Sequence, residues 1–174
     1  MVFAPDGHAI LEYEKRHMLP GPENGYEIGT APGLFPAPAA QWGVAICKDM
    51  DFPAWSRRYG QRGVRILAVP AWDFVRDARL HSRMAVVRAV ENGFSMARAA
   101  QQGYLTFSDA YGRILAETST SRAGESLLIH NLPPGPGATL YTHFGDWFGW
   151  LCVAALAGLL VSGAPQPNAG YPTG

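Results

Sequence analysis

Up to about residue 131 the apolar positions fall in short runs punctuated by Gly, Pro and Asp, and only after residue 147 do they merge into one long run. Short apolar runs bounded by turn chemistry read as strands, whereas recurrence every three to four residues reads as helix. The first unit is a hairpin, in which Val2–Ala4 and His8–Glu14 flank Pro5-Asp6-Gly7 and Asp-Gly supplies the turn. Residues 20–40 are rich in Pro and Gly and read as loop. Trp42–Cys47 is a short apolar strand ending at a cysteine, Ala54–Arg62 a helix, and Val64–Val69 a buried strand. Leu80, Met84, Val87 and Val90 recur at helical spacing, which predicts a helix over Asp77–Asn92 that stops at Gly93. Phe94–Ala99 and Tyr104–Phe107 read as strands, Asp109–Gly112 as a turn and Glu125–His130 as a last strand. Strands alternating with helices predict an α/β layered domain over residues 1–131.

The pattern changes at Pro133-Pro134-Gly135-Pro136-Gly137, so residues 132–146 read as a linker. Residues 147–164 carry no charge, and Trp147, Phe148 and Trp150 cluster at one end, where amphipathic rings favour the headgroup level of a bilayer. This predicts a transmembrane or membrane-docked helix, with a buried core helix as the alternative. The tail 165–174 reads as flexible and has no Lys or Arg, so the distribution of positive charge assigns no orientation.

Composition narrows the function classes. Of 174 residues, 48% are hydrophobic and 16% charged, which excludes disorder for most of the chain. Lys plus Arg and Asp plus Glu are both 14, and without a basic block nucleic acid is an improbable partner. Two cysteines, Cys47 and Cys152, cannot build a disulfide framework or a four-ligand metal site, so any role for cysteine is as a thiol. Cys152 lies inside the apolar run, where burial is expected to keep it unreactive. Only Lys15 and Lys48 are lysines, and a lysine, unlike an arginine, can lose its proton when desolvated.

Cys47 sits at a strand-to-helix turn, where helix N–H groups point at a nucleophile and lower a thiol's pKa; a buried structural thiol is the alternative. Strand alternation puts Lys15 on one face with Tyr13 and Leu11 and turns Glu12 and Glu14 away. A lysine beside a cysteine stabilises a thiolate or an oxyanion, and a glutamate in the following loop, Glu23, orients the lysine or takes a proton. Each residue alone also fits a solvated charge. Arg57, Arg58, Arg62, His17 and His81 read as solvated or packed side chains outside the site.

Taken together, Tyr13–Glu23, Gly43–Asp49, Val69–Asp73, Arg88–Gly93 and Asp109–Arg113 resemble, in order, the motifs of the nitrilase superfamily of carbon-nitrogen hydrolases. The resemblance implies the C-terminal half of an α-β-β-α sandwich with a Glu-Lys-Cys triad and no cofactor. It makes Cys47 the nucleophile, Lys15 the triad lysine and Glu23 the additional glutamate, with Lys48 and Asp49 beside the nucleophile contacting substrate. Within that superfamily, Thr139–Trp147 followed by an apolar helix is similar to the apolipoprotein N-acyltransferase branch, which implies acyl transfer from membrane phospholipid to a lipoprotein N-terminus at the periplasmic face of a bacterial inner membrane. A small-amide hydrolase and an inert membrane-bound remnant are the alternative expectations. Acyltransferases of that branch commonly carry Tyr-Glu where this chain has Lys48-Asp49. The first triad glutamate has no counterpart among the fourteen residues before Lys15, from which a missing N-terminal half or self-association, and little turnover by this chain alone, are expected.

Overall fold

The computed structural model describes residues 1–38, 40–121 and 125–162. The hairpin forms as expected but short, with β1 (Val2–Phe3) antiparallel to β2 (Ala9–Leu11). The main element is a six-stranded sheet in the order β3 (Gly33–Ala37), β4 (Ala40–Val44), β5 (Ile66–Trp72), β6 (Ser95–Gln101), β7 (Tyr104–Ser108), β8 (Ile114–Ser119). β4, β5 and β6 are parallel and the outer strands pair antiparallel. Parallel neighbours need crossovers, supplied by α1 (Pro53–Gln61) and α2 (Ala78–Asn92). The α/β class follows from this alternation, as expected.

α1 and α2 share one face of the sheet. Trp55 and Tyr59 from α1 and Ala85, Val86 and Ala89 from α2 bury against Leu67, Val69 and Met96. On the opposite face Val44, Ala68, Ala97, Phe107 and Ala116 lie in register across five strands, all half-buried, with Pro70 and Ala99 exposed beside them. This apolar face of small residues is what one half of a two-sheet sandwich presents; among the described residues no second layer covers it.

Three readings change. The loop expected over residues 20–40 contains β3 and the start of β4, because the Pro-rich segment lies at the sheet edge, where Pro36 is tolerated with a partner on one side only. The last strand is Ile114–Ser119 rather than Glu125–His130: a tight turn, in which Asp109 accepts from the Tyr111 and Arg113 N–H groups, returns the chain directly onto β7. No strand forms over 125–130, where Leu127 and Ile129 are exposed. α2 has its expected bounds, and Gly93 caps it in the left-handed region at φ 69°. Its buried face, however, is Ala78, Ser82, Ala85, Val86, Ala89 and Asn92, while Leu80, Val87 and Val90 are exposed. Small residues let the helix lie close enough for Ser82 Oγ to reach Thr106 Oγ1 at 3.1 Å.

Two ion pairs brace the sheet, one between neighbouring strands and one to α2. Arg98 on β6 forks onto Asp73, just beyond β5, at 2.7 and 2.9 Å, and both side chains are almost inaccessible. Arg83 on α2 forks onto Glu117 on β8 at 2.6 and 2.9 Å.

The segment 132–146 is docked rather than free: Gly135 and Arg65 exchange hydrogen bonds, the Gly137 N–H donates to Gly93 O, and Thr139 caps α3 (Leu140–Phe144). A Cβ at Gly93 would collide with the Gly137 carbonyl. Arg57 donates to the Thr142 and His143 carbonyls, so it fastens α3 to α1. α4 spans Trp147–Ser162 with every residue exposed. At ~1.5 Å per residue its 16 residues fall short of a hydrocarbon core of about 30 Å. Of the expected span over 147–164 the described residues hold this 16-residue helix, and among them no helix is long and apolar enough to cross a membrane. Residues 163–164 and the tail 165–174 lie outside the described residues. Cys152, expected to be kept unreactive by the apolar run around it, is exposed on α4 together with the rest of that helix.

Candidate active site

The strand read as Trp42–Cys47 ends at Val44, and the chain turns through Ile46 into a 3₁₀ helix, Cys47–Asp51, that leads into α1 with Pro53 at its first position. Cys47 holds φ 47°, a left-handed conformation that costs an ordinary L-residue about 1–2 kcal/mol. Such a turn pushes a side chain out beyond the strand ends, and outside the carboxyl ends of parallel strands is where open α/β sheets place their ligands. The thiol is half-buried, with Sγ 3.5 Å from the carbonyl of Trp72 at the end of β5.

Lys15 follows β2 in extended chain and is 9% exposed. Its ammonium donates to both oxygens of Glu23, at 2.7 and 2.6 Å, and Glu23 Oε2 also accepts from the Leu19 N–H. Burial opposes ionisation of Glu23, but the Lys15 and Leu19 hydrogen bonds, with the charges of Lys15 and Lys48, outweigh it and hold the carboxyl below its ordinary value of 4.5. The two residues paired by the sequence reading therefore meet, and Glu12 and Glu14 are exposed on the other side. Because Glu23 is more acidic folded than unfolded, the pair stabilises the fold fully above the unfolded value, and that contribution is lost progressively as pH falls from there through the lower folded value. Glu23→Gln is expected to be the weaker at neutral pH, its deficit to shrink as pH falls below 4.5, and its stability to meet the parent's only below the depressed folded value. Equal stabilities at pH 7 would refute the coupling.

Asp49 departs from its expected role. It has no exposed surface, and its carboxylate is occupied by the protein's own donors. Oδ1 accepts from Arg16 N at 3.1 Å and His17 N at 2.9 Å, with His17 Nδ1 3.1 Å away; Oδ2 accepts from the Tyr13 hydroxyl at 2.6 Å and Ile46 N at 3.1 Å. Burial foremost, with Tyr59 and the Asp49 charge adding to it, pushes the Tyr13 pKa far up, which keeps its hydroxyl a donor. Tyr59 is likewise pushed up to about 12, mainly by burial, and donates to the Val44 carbonyl at 2.6 Å. Trp55 Nε1 donates to the Tyr13 hydroxyl at 3.2 Å, and His17 stacks on Phe52 at 3.7 Å. Lys48 is partly exposed, 3.8 Å from Asp51, and its charge reaches Glu23.

Sequence reasoning passed over Tyr13 and Trp55 as part of this centre; the available signal was Tyr13 alternating with Lys15. His81 is packed 3.5 Å from Asp73, whereas His17, read as lying outside the site, meets Asp49 through its backbone N–H and Nδ1. Among the described residues no cluster of His, Cys, Asp or Glu could hold a metal ion.

A thiol at a strand-to-helix turn of an α/β sheet, and a part-buried lysine-glutamate pair whose segment is tied to that turn through Asp49, define a candidate cysteine active site. Residues 1–135 match the carbon-nitrogen hydrolase family, and the chain belongs to it, within the nitrilase superfamily. It is similar to an apolipoprotein N-acyltransferase of Geobacter metallireducens, at 36% identity over 66% of this chain and 22% of the relative. It is also similar to the human omega-amidase NIT2, at 30% identity over 70% of this chain and 51% of the relative. Among solved structures, Nit3 of Saccharomyces cerevisiae superposes with a TM-score of 0.61 at 24% identity, over 66% of this chain and 46% of that one, and shares the fold. The chain thus spans about half or less of the length of these relatives.

Proposed function

We propose that Cys47 is the nucleophile of an acyl transfer through a thioester. The Cys47 sulfur attacks a carbonyl carbon, Lys15 stabilises the oxyanion, and collapse breaks the C–O or C–N bond as the thiol proton passes to the leaving group. A second nucleophile then attacks the thioester carbon, and its proton returns to Cys47 as the thiol leaves. The observation that supports this is the strained turn at Cys47, tied through Asp49 to the segment that carries the Lys15–Glu23 pair.

In the finer reading, a phospholipid supplies the acyl group and the N-terminal amine of a lipoprotein accepts it, at the periplasmic face of a bacterial inner membrane. The similarity to apolipoprotein N-acyltransferases and the wholly exposed apolar surface of α4 support it. α4 would then dock in lipid rather than cross it. The omega-amidase relatives support a second reading, in which the donor is a small amide and water the acceptor.

The test is intact-mass analysis of the full chain carrying Cys152→Ser, since Cys152 is exposed and would report its own chemistry. The chain is incubated in phospholipid vesicles, and separately with simple amides. An acyl adduct on Cys47 that hydroxylamine releases, formed from phospholipid and lost in Cys47→Ala, is expected. Adducts or ammonia from amides alone would favour the amidase, and absence of any adduct while iodoacetamide still labels Cys47 would overturn the nucleophile reading.

A further inference from the structure

The residue that brings Lys15 and Cys47 into one centre is neither of them. The Lys15 segment follows the small β1–β2 hairpin, whereas Cys47 leaves the main sheet after β4, so the two belong to different pieces of secondary structure. Five donor atoms from both pieces converge on the Asp49 carboxylate: Tyr13 Oη, Arg16 N, His17 N and His17 Nδ1 from the lysine segment, and Ile46 N from the cysteine turn. These donors bracket Lys15 on both sides in sequence, and Ile46 and Asp49 bracket Cys47. A carboxylate has about four lone-pair sites, so the group is saturated and no oxygen is left to face a substrate.

We propose that Asp49 is a positioning residue that clamps the Lys15 segment to the Cys47 turn. The proposal rests on the reading of Cys47 as nucleophile. A carboxylate suits the task because both its oxygens accept and neither donates, so backbone N–H groups from two segments and a phenol can share it without a mismatched partner. Asparagine in its place turns an amide NH₂ toward one set of those donors. Tyr13 extends the clamp inward, because its hydroxyl is itself held by Trp55 on α1.

The experiment measures the pH dependence of Cys47 carbamidomethylation in the full chain with Cys152→Ser, alone and with Lys15→Gln, Asp49→Asn or both. Lys15→Gln is expected to slow alkylation near neutral pH about tenfold, Asp49→Asn to slow it comparably, and the double variant to be no slower than either single. Multiplying effects, or an unchanged profile in Asp49→Asn, would overturn the clamp. Should Asp49→Asn fail to fold, Tyr13→Phe removes one of the five donors and keeps the carboxylate, and a smaller shift in the same direction is expected; an unchanged profile there counts against the clamp. Amine labelling of Lys15 separates the two readings. If Lys15→Gln has no effect on Cys47, the nucleophile reading falls, and Lys15 labelled no faster in Asp49→Asn than in the parent overturns the clamp on its own.

Discussion

Replacing Arg98 by alanine is expected to lower the unfolding free energy by about 3–5 kcal/mol, a large part of the roughly 5–15 kcal/mol by which a domain is stable. The reason is the charge left behind. Asp73 has no exposed surface and takes two hydrogen bonds from the Arg98 guanidinium; with the guanidinium gone, a buried carboxylate loses its compensating charge. Relief by local movement is blocked on one side, because even a Cβ at Gly103 would strike the Asp73 carboxylate. Removing both partners is a different experiment: Arg98→Met with Asp73→Leu leaves no charge to desolvate and is expected to be the more stable of the two variants. Urea unfolding followed by circular dichroism measures both. A single-variant loss under about 1 kcal/mol, as for an exposed pair, would show that water reaches the site.

The second large effect concerns Lys15. Acylation of Cys47 passes through a tetrahedral oxyanion, whereas alkylation by iodoacetamide does not, so a group that stabilises the oxyanion acts on the first reaction alone. Loss of one such donor typically lowers the rate by about 10²–10³. Lys15→Gln is accordingly expected to slow acylation of Cys47 by an activated ester about a hundredfold or more, well beyond its effect on alkylation in the same preparation. The comparison cancels the thiolate population, which both reactions share. Equal losses in the two reactions would confine Lys15 to holding the thiolate and would remove it from the oxyanion step. Glu23 fits the stronger role, because its bidentate bond fixes an otherwise flexible ammonium in one direction.

Order along the chain and short-range chemistry were legible without coordinates. Asp-Gly between two apolar runs produced the hairpin, Gly93 ended α2, and the parallel strands with helices between them follow from alternation alone, since each depends on a few neighbouring residues. Lys15, Glu23 and Cys47 could be singled out for the same reason: residue type and spacing state which chemistry is available. Local pattern failed where a second element decided. Pro36 belongs to a strand because it lies on the sheet's edge, and edge position is a property of the whole sheet. α2 buries its alanines rather than Leu80 and Val87, because the sheet beneath admits a close approach that only small side chains permit.

Asp49 is the sharpest instance. In the sequence it is a carboxylate two residues from a nucleophile, and proximity along the chain suggested a substrate contact. Apart from the nearby Ile46 N–H, its donors come from residues 13–17, more than thirty positions away, and nothing in its own neighbourhood announces them. The apolar run after Trp147 shows the same division: its hydropathy was plain in the sequence, while its length as helix, 16 residues with none buried, emerged only in three dimensions. Sequence alone determined which groups this chain brings to its candidate cysteine site and the order of the elements that carry them. Which of those groups meet, and which carboxylate is consumed in holding the others, was decided by the tertiary structure, because hydrogen-bond partners and burial depend on segments that are distant in the chain and adjacent in the fold.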